Sequence, residues 1–124
     1  MNRKVLGAFL VVLLAAFSPA FAAGTCNGCQ IEMLGAGPYY DSLCSSGSCI
    51  FIGIEQPVTG KPGCSSNSGW DFVLDISTPS GRSTYALLLA AKSSGQSINI
   101  AGSNTCSLSP SGVVENFFYV SHAG

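Results

Sequence analysis

Alternation of apolar and polar side chains is most regular from Trp70 to Ile76, where Trp70, Phe72, Leu74 and Ile76 are interleaved with Asp71, Val73 and Asp75. A period of two predicts a strand with one buried face. Thr78-Pro79 then provides a hydroxyl at an N-cap and a proline at the first helical position, where its missing N–H costs nothing. The Tyr-, Ala- and Leu-rich run from Ser83 to Lys92 predicts a helix that Gly95 terminates. Its apolar rows are Tyr85, Leu88, Leu89 and Lys92, and beside them Thr84, Leu87 and Ala91, a stripe wide enough to cover a sheet. Gly81 and two serines weaken its first turns. Gln96 to Gly102 returns as a strand with Ile98 and Ile100 on one face.

The same reading gives a first strand over 28–34 and a second over 49–55. The second carries Ile50, Ile52 and Ile54 on one face and Cys49, Phe51 and Gly53 on the other, which predicts a central position. A last strand runs over 113–120 with aromatics on both faces. Tyr39 to Ser42 follow the breaker Gly35-Ala36-Gly37-Pro38 and read as a loop or a short strand. Residues 56–69, rich in Pro, Gly and Ser, read as a surface loop pinned by Cys64. The order is three strands, one helix, two strands. Short antiparallel strands with the helix between the third and fourth predict a mainly β fold, a small closed barrel of the OB type.

The N-terminus changes the picture of where this domain works. Arg3 and Lys4 precede an apolar run from Val5 to Phe17, and Ala20-Phe21-Ala22 is a small-x-small cleavage site. Residues 1–22 therefore read as a signal peptide cut after Ala22. The apolar run is about 13 residues, short of the ~20 that cross a bilayer. Residues 23–124 form the expected single domain, secreted or periplasmic, with no membrane insertion after cleavage. All six cysteines, Cys26, Cys29, Cys44, Cys49, Cys64 and Cys106, lie beyond the cleavage site. An even count in a small exported domain reads as three disulfides, whose connectivity the spacing leaves open. Beyond Ala22 the chain holds three cations, Lys61, Arg82 and Lys92, against six carboxylates. That balance, with no basic patch, argues against nucleic acid or an anionic membrane as partner.

Catalytic chemistry finds little support. Cys26-Asn27-Gly28-Cys29 has redox-motif spacing, but no helix follows to lower a thiol pKa. Zinc on these cysteines with Cys44 and Cys49 competes poorly with disulfides in an oxidising compartment. The single histidine, His122, sits in an expected fraying tail, whereas a nucleophile needs an anchored base. Asp71 and Asp75 on one strand face would stand roughly 13 Å apart, wider than the ~5–9.5 Å of a glycosidase pair, and read as a solvated face. Gly35-x-Gly37 is a turn and not a phosphate loop. No enzyme, cofactor or metal is expected. Trp70 is expected to pack against the helix. Tyr39, Tyr40, Asp41 and Ser42 are the candidate ligand-binding residues, because aromatic faces beside a carboxylate and a hydroxyl suit sugar rings.

Trp70-x-Phe72, the Tyr85–Lys92 run, Ser94-Gly95-Gln96-Ser97-Ile98 and a strand leading to Cys106 together resemble a stretch of the pertussis-like and subtilase-type toxin B subunits. They resemble still more closely a loose set of small exported bacterial proteins of unknown function. The toxin resemblance implies an OB-like barrel, a sugar-binding role and assembly into an oligomer. It also implies a bridge between Cys49 and Cys64, the pair that precedes Trp70. The function expected is an exported, non-catalytic binding module directed at a glycan. The alternative is an exported structural or inhibitory protein that binds another protein. The cysteine count carries a direct prediction. Titration of the denatured, unreduced mature protein with a thiol reagent should find no reactive thiol, and two or more per chain would revive metal or redox chemistry.

Overall fold

The computed structural model describes residues 23–124; the segment 1–22, expected to be a signal peptide, lies outside the described residues. The chain order is β1 (Thr25–Cys29), β2 (Ile31–Gly35), α1 (Pro38–Ser42), β3 (Cys49–Ile54), β4 (Phe72–Asp75), α2 (Pro79–Ser94), β5 (Ile98–Gly102) and β6 (Glu115–His122). Six strands form one sheet in the order β1-β5-β6-β4-β3-β2. The β4–β6 contact is parallel, Phe72 opposite Glu115 and Val73 opposite Asn116, and every other pairing is antiparallel. The expected all-antiparallel closed barrel is thus corrected to an open mixed sheet, with β1 and β2 as its two ends.

The expected first strand is two strands. Gly28 has φ +67° and interrupts the register between Cys26 and Cys29. β1 starts earlier than the alternation suggests because Thr25 and Cys26 pair with Ala101 and Ile100. At Gln30 the chain changes partner. Gln30 N donates to Gln56 Oε1 at 2.8 Å, and Gln30 O accepts from Glu55 N at 2.9 Å. The segment then continues as β2 against β3.

α2 begins and ends as its caps predict. Thr78 Oγ1 accepts from Gly81 N at 3.0 Å, and Gly95 closes the helix in the left-handed region at φ 67°. Gly81 has a positive role as well: a Cβ there would collide with the Asp75 carbonyl, so glycine lets α2 start directly beneath β4. Only Gly81, Leu88 and Ala91 of α2 are buried, with Tyr85 packed at the margin. The broad predicted stripe is narrower in fact, and Leu89 is 41% exposed.

Two clusters form the core. Ile50, Ile52, Ile54, Phe72 and Leu74 join Ile98 and Ile100 with Leu88 and Ala91 of α2. On the opposite face Cys49, Phe51, Val73 and Val114 pack with Tyr40 and Trp70. β3 is buried at all of its positions, as a central strand with two apolar faces should be. Trp70 therefore packs away from α2, correcting the sequence expectation. Its ring lies 5.4 Å from Tyr40 and 6.0 Å from Phe51, centroid to centroid.

The disulfides join Cys26 to Cys29, Cys44 to Cys49 and Cys64 to Cys106. The Cys49–Cys64 bridge implied by the toxin resemblance is not formed. Cys49 lies in β3 within reach of the short loop after α1, whereas Cys64 sits in the 56–69 loop beside the chain leaving β5. That loop is pinned further by a Lys61–Asp71 ion pair and by Asn67, whose Oδ1 accepts from Gly69 N and Trp70 N. Val113, at φ 50°, breaks the extended run, so the last strand starts at Glu115 and not at 113. It runs on through His122, which pairs with Ile98 and is no fraying tail.

Leu88 is fully buried against the Phe72 cluster. Leu88→Ala should cost about 2–5 kcal/mol through lost transfer energy and the cavity left behind. Urea unfolding measures it, and an effect near zero would mean that α2 does not hold the sheet.

Candidate functional site

Gly37-Pro38 turns the chain into α1, with the proline at its first helical position. The Tyr39–Ser42 segment is therefore helical, where the sequence suggested a loop or short strand. The four predicted site residues come together on this single turn, with different freedoms. Tyr39 is 70% exposed and meets Tyr40 edge to face at 5.2 Å. Tyr40 in turn leans on Phe51 and Trp70. A Cβ on Gly35 would run into the rings of Tyr40 and Trp70, so that glycine makes room for the aromatic stack. Asp41 Oδ1 accepts from Cys49 N at 3.1 Å, and Ser42 Oγ donates to Tyr39 O at 2.6 Å. Both polar groups hold α1 in place, which leaves the Tyr39 ring as the part presented outward.

A more concave surface lies where β4 and β6 separate. The two strands share only two paired positions before they diverge. A crevice of about 400 Å³ opens there, closed on one side by the first turns of α2. Ser80, Thr78 and Thr84 of the α2 end face Ser107, Asn116 and Phe118 across it, with Asp75 in the wall. Asn116 is locked: its Nδ2 donates to Thr105 Oγ1 and Ser107 Oγ, each at 3.0 Å, and its Oδ1 accepts from Leu108 N at 3.0 Å. Phe118 is 69% exposed and stands against Tyr119. The crevice thus combines neutral hydroxyls, one amide, one aromatic ring and one carboxylate.

Asp75 is the one ionisable side chain in that wall. Burial works against its charge, but the hydroxyl and N–H of Ser77 and the hydroxyl of Ser46 outweigh burial and hold its carboxyl below the ordinary value. Asp75 Oδ1 accepts from Ser77 N at 2.9 Å and from Ser46 Oγ at 3.0 Å. The expectation of a solvated aspartate face is corrected on both members. Asp71 precedes β4, pairs with Lys61 and accepts from Ile54 N at 2.8 Å, while Asp75 joins two turns.

His122 lies at the far end of β6, exposed, and does not line the crevice. All six cysteines are bridged, and no group of three His, Cys, Asp or Glu side chains converges among the described residues. The sequence reading missed the crevice because its walls come from four separate segments. Two signals for it existed, the first being that aromatics on both faces of the last strand require one of them to be exposed. Aspartate followed two residues later by serine was the other, an Asx-type turn feeding the α2 cap. No family model, characterised protein or solved structure matches this chain.

The lowered Asp75 pKa has a definite sign. A depressed folded-state value contributes stability that is complete above the ordinary aspartate pKa of about 4 and is lost as pH falls through the folded value. Asp75→Asn should therefore flatten acid destabilisation below about pH 4. Thermal melts from pH 7 to pH 2 measure this, and curves that fall in parallel would remove Asp75 from the acid response.

Proposed function

We propose that this protein is an exported, non-catalytic binding module that takes a glycan in the crevice between β4, β6 and α2. One observation carries the reading: the crevice pairs an exposed phenylalanine ring with a field of neutral hydroxyls, a locked amide and an ionised carboxylate. An aromatic face covers the C–H face of a sugar, and oriented polar groups select among its hydroxyls. The three disulfides accord with an oxidising compartment. An OB-like arrangement also fits the strand order, the parallel β4–β6 contact, the chain bent between β1 and β2, and α2 between β4 and β5. The resemblance to toxin B subunits points the same way and adds an oligomer. Shallow sugar sites bind weakly, on the order of 1 mM, and become useful when several copies act together.

A second reading, a protein ligand, draws on β6 itself. β5 accompanies β6 to His122, but β4 leaves it after Asn116, so its other edge has no strand partner beyond that point among the described residues. Exposed strand edges accept extended peptides. The two readings separate on a glycan array followed by titration of any hit. Phe118→Ala and Ser80→Ala should each weaken glycan binding tenfold or more with melting unchanged, and Tyr39→Ala should leave it intact. Loss with Tyr39→Ala alone would move the site to α1. Binding that survives all three changes, or an array without hits beside a tight peptide ligand, would overturn the crevice reading.

A further inference from the structure

Glu115 opens β6 with no exposed surface at all. Its carboxylate sits in a cradle of backbone. Gly24 N donates to both oxygens, at 3.1 and 3.2 Å, and Asn104 N donates to Oε2 at 2.9 Å. A Cβ on Gly24 or on Gly102 would collide with this carboxylate, so both positions are glycine for the space it takes. Asn104 adopts φ 67°, which completes the turn that aims its N–H inward. No cation among the described residues pairs with Glu115. The stem of Lys61 passes Gly24, but its ammonium is committed to Asp71. A buried carboxylate held by backbone N–H groups alone leaves a full negative charge without a counter-charge, which is costly.

The missing cation has a natural source one residue upstream. Successive backbone nitrogens stand about 3–3.7 Å apart, so the nitrogen of Ala23 lies within about 7 Å of this carboxylate. In the uncut chain that nitrogen is a neutral amide. Hydrolysis of the Ala22–Ala23 bond by a leader peptidase consumes one water. Its oxygen goes to the Ala22 carboxylate, and the nitrogen left on Ala23 becomes an α-ammonium at neutral pH. The start of the chain is already held in position. Thr25 N donates to Thr59 O at 2.8 Å, Thr59 N donates to Thr25 O at 3.0 Å, and the Ala23 carbonyl packs on Gly60.

We propose that Glu115 is the receptor for the mature N-terminus: the ammonium created at Ala23 neutralises the buried carboxylate and ties β1, β6 and the 56–69 loop into one unit. Processing would then complete the fold, and the uncut precursor would lack that stabilisation. The proposal rests on the exported reading, and its test separates the two. The full precursor is expressed with export and the product weighed intact. An uncut mass overturns both, and a mass that begins at a residue other than Ala23 overturns the lock alone. With cleavage at Ala23 established, melting is compared for four exported chains: wild type, a three-residue insertion after Ala22, Glu115→Gln, and the combination. The insertion restores a neutral amide at Ala23 and should lower the melting temperature by roughly 5 °C or more, whereas on the Glu115→Gln background it should change little. Equal effects of the insertion on both backgrounds overturn the lock and leave export standing.

Should Glu115→Gln fail to fold, pH replaces it. The charged groups bordering Gly24 are Glu115 on β6 and Lys61 on the loop, the latter paired with Asp71. A carboxylate raises the pKa of a nearby ammonium. The stability advantage of wild type over the insertion should therefore be complete below the free α-amine value of about 8 and vanish as pH rises through the raised folded value. An advantage that is absent, or constant from pH 6 to pH 11, overturns the proposal.

Discussion

One continuous stretch, Thr25 to Gly35, supplies both ends of the sheet. Its first half pairs with β5 and its second half with β3, both antiparallel. Strand direction elsewhere follows by parity. β6 runs antiparallel to β5 and β4 antiparallel to β3, so β4 and β6 both point the way of the shared stretch. Where they meet they must be parallel, as they are. The bent stretch thus fixes the direction of every strand between the two ends of the open sheet. The parallel contact is the place where this constraint is absorbed, and it is the shortest ladder in the molecule. The crevice and the unpaired stretch of the β6 edge both follow from it.

Around that constraint the stabilising interactions are distributed unevenly. β3 and β4 lie between two apolar clusters, so removing a side chain from either face leaves a cavity that neighbours fill only partly. Two of the disulfides are local, spanning 3 and 5 positions, while Cys64–Cys106 spans 42. In the chain-entropy view the long bridge restricts the unfolded chain most, by about 4 kcal/mol against about 2 for the shortest. The local bridges act on shape. Cys26–Cys29 straddles the Gly28 irregularity, and Cys44–Cys49 fastens the end of α1 to the start of β3. The chain is thus reinforced beside its irregular segments, where ladder hydrogen bonds are interrupted.

Much of this was legible in the residues. The caps of α2 needed only Thr78, Pro79 and Gly95, and the double-faced apolar run at Cys49–Ile54 marked an interior strand. The parallel contact was not legible: the short strands read as antiparallel, and β4 meets β6 in parallel. What stayed hidden depended on backbone turned against local preference or on contacts distant in sequence. Gly28 reads as the start of a strand, not as a bulge within one. Val113, a β-branched residue at positive φ, overrides its own propensity and delays β6 by two positions. Trp70 shares the spacing of Phe72, but Asp71 N donates to Ile52 O and the chain turns before β4 begins, which carries Trp70 to the α1 face. In the candidate site, exposure of one of the two adjacent tyrosines was legible, but not that the exposed ring is Tyr39. The structural employment of Asp41 and Ser42 was not, because Asp41 is spent on the amide of Cys49 in another element.

The position of α2 explains why divergence of β4 from β6 yields a defined crevice and not a loose gap. Asp75 ends β4, and its backbone carbonyl lies against Gly81, the one residue that fits beneath it. The same Asp75 accepts from Ser77 N, which sets the turn, and Thr78 then caps the helix. Strand end, turn and helix start are therefore one rigid hydrogen-bonded unit, and its hydroxyls are presented at fixed positions. Opposite them, Asn116 is immobilised by three hydrogen bonds from and to the chain between Thr105 and Leu108. That chain is itself moored by the Cys64–Cys106 bridge, and Ser109 Oγ donates to Leu43 O at 2.7 Å just beyond it. Both walls are thus preorganised, so that a ligand entering between them would lose little to ordering the protein. Affinity in such a site is set by how well the polar pattern matches the ligand, and specificity by the few groups whose hydrogen bonds are not already spent.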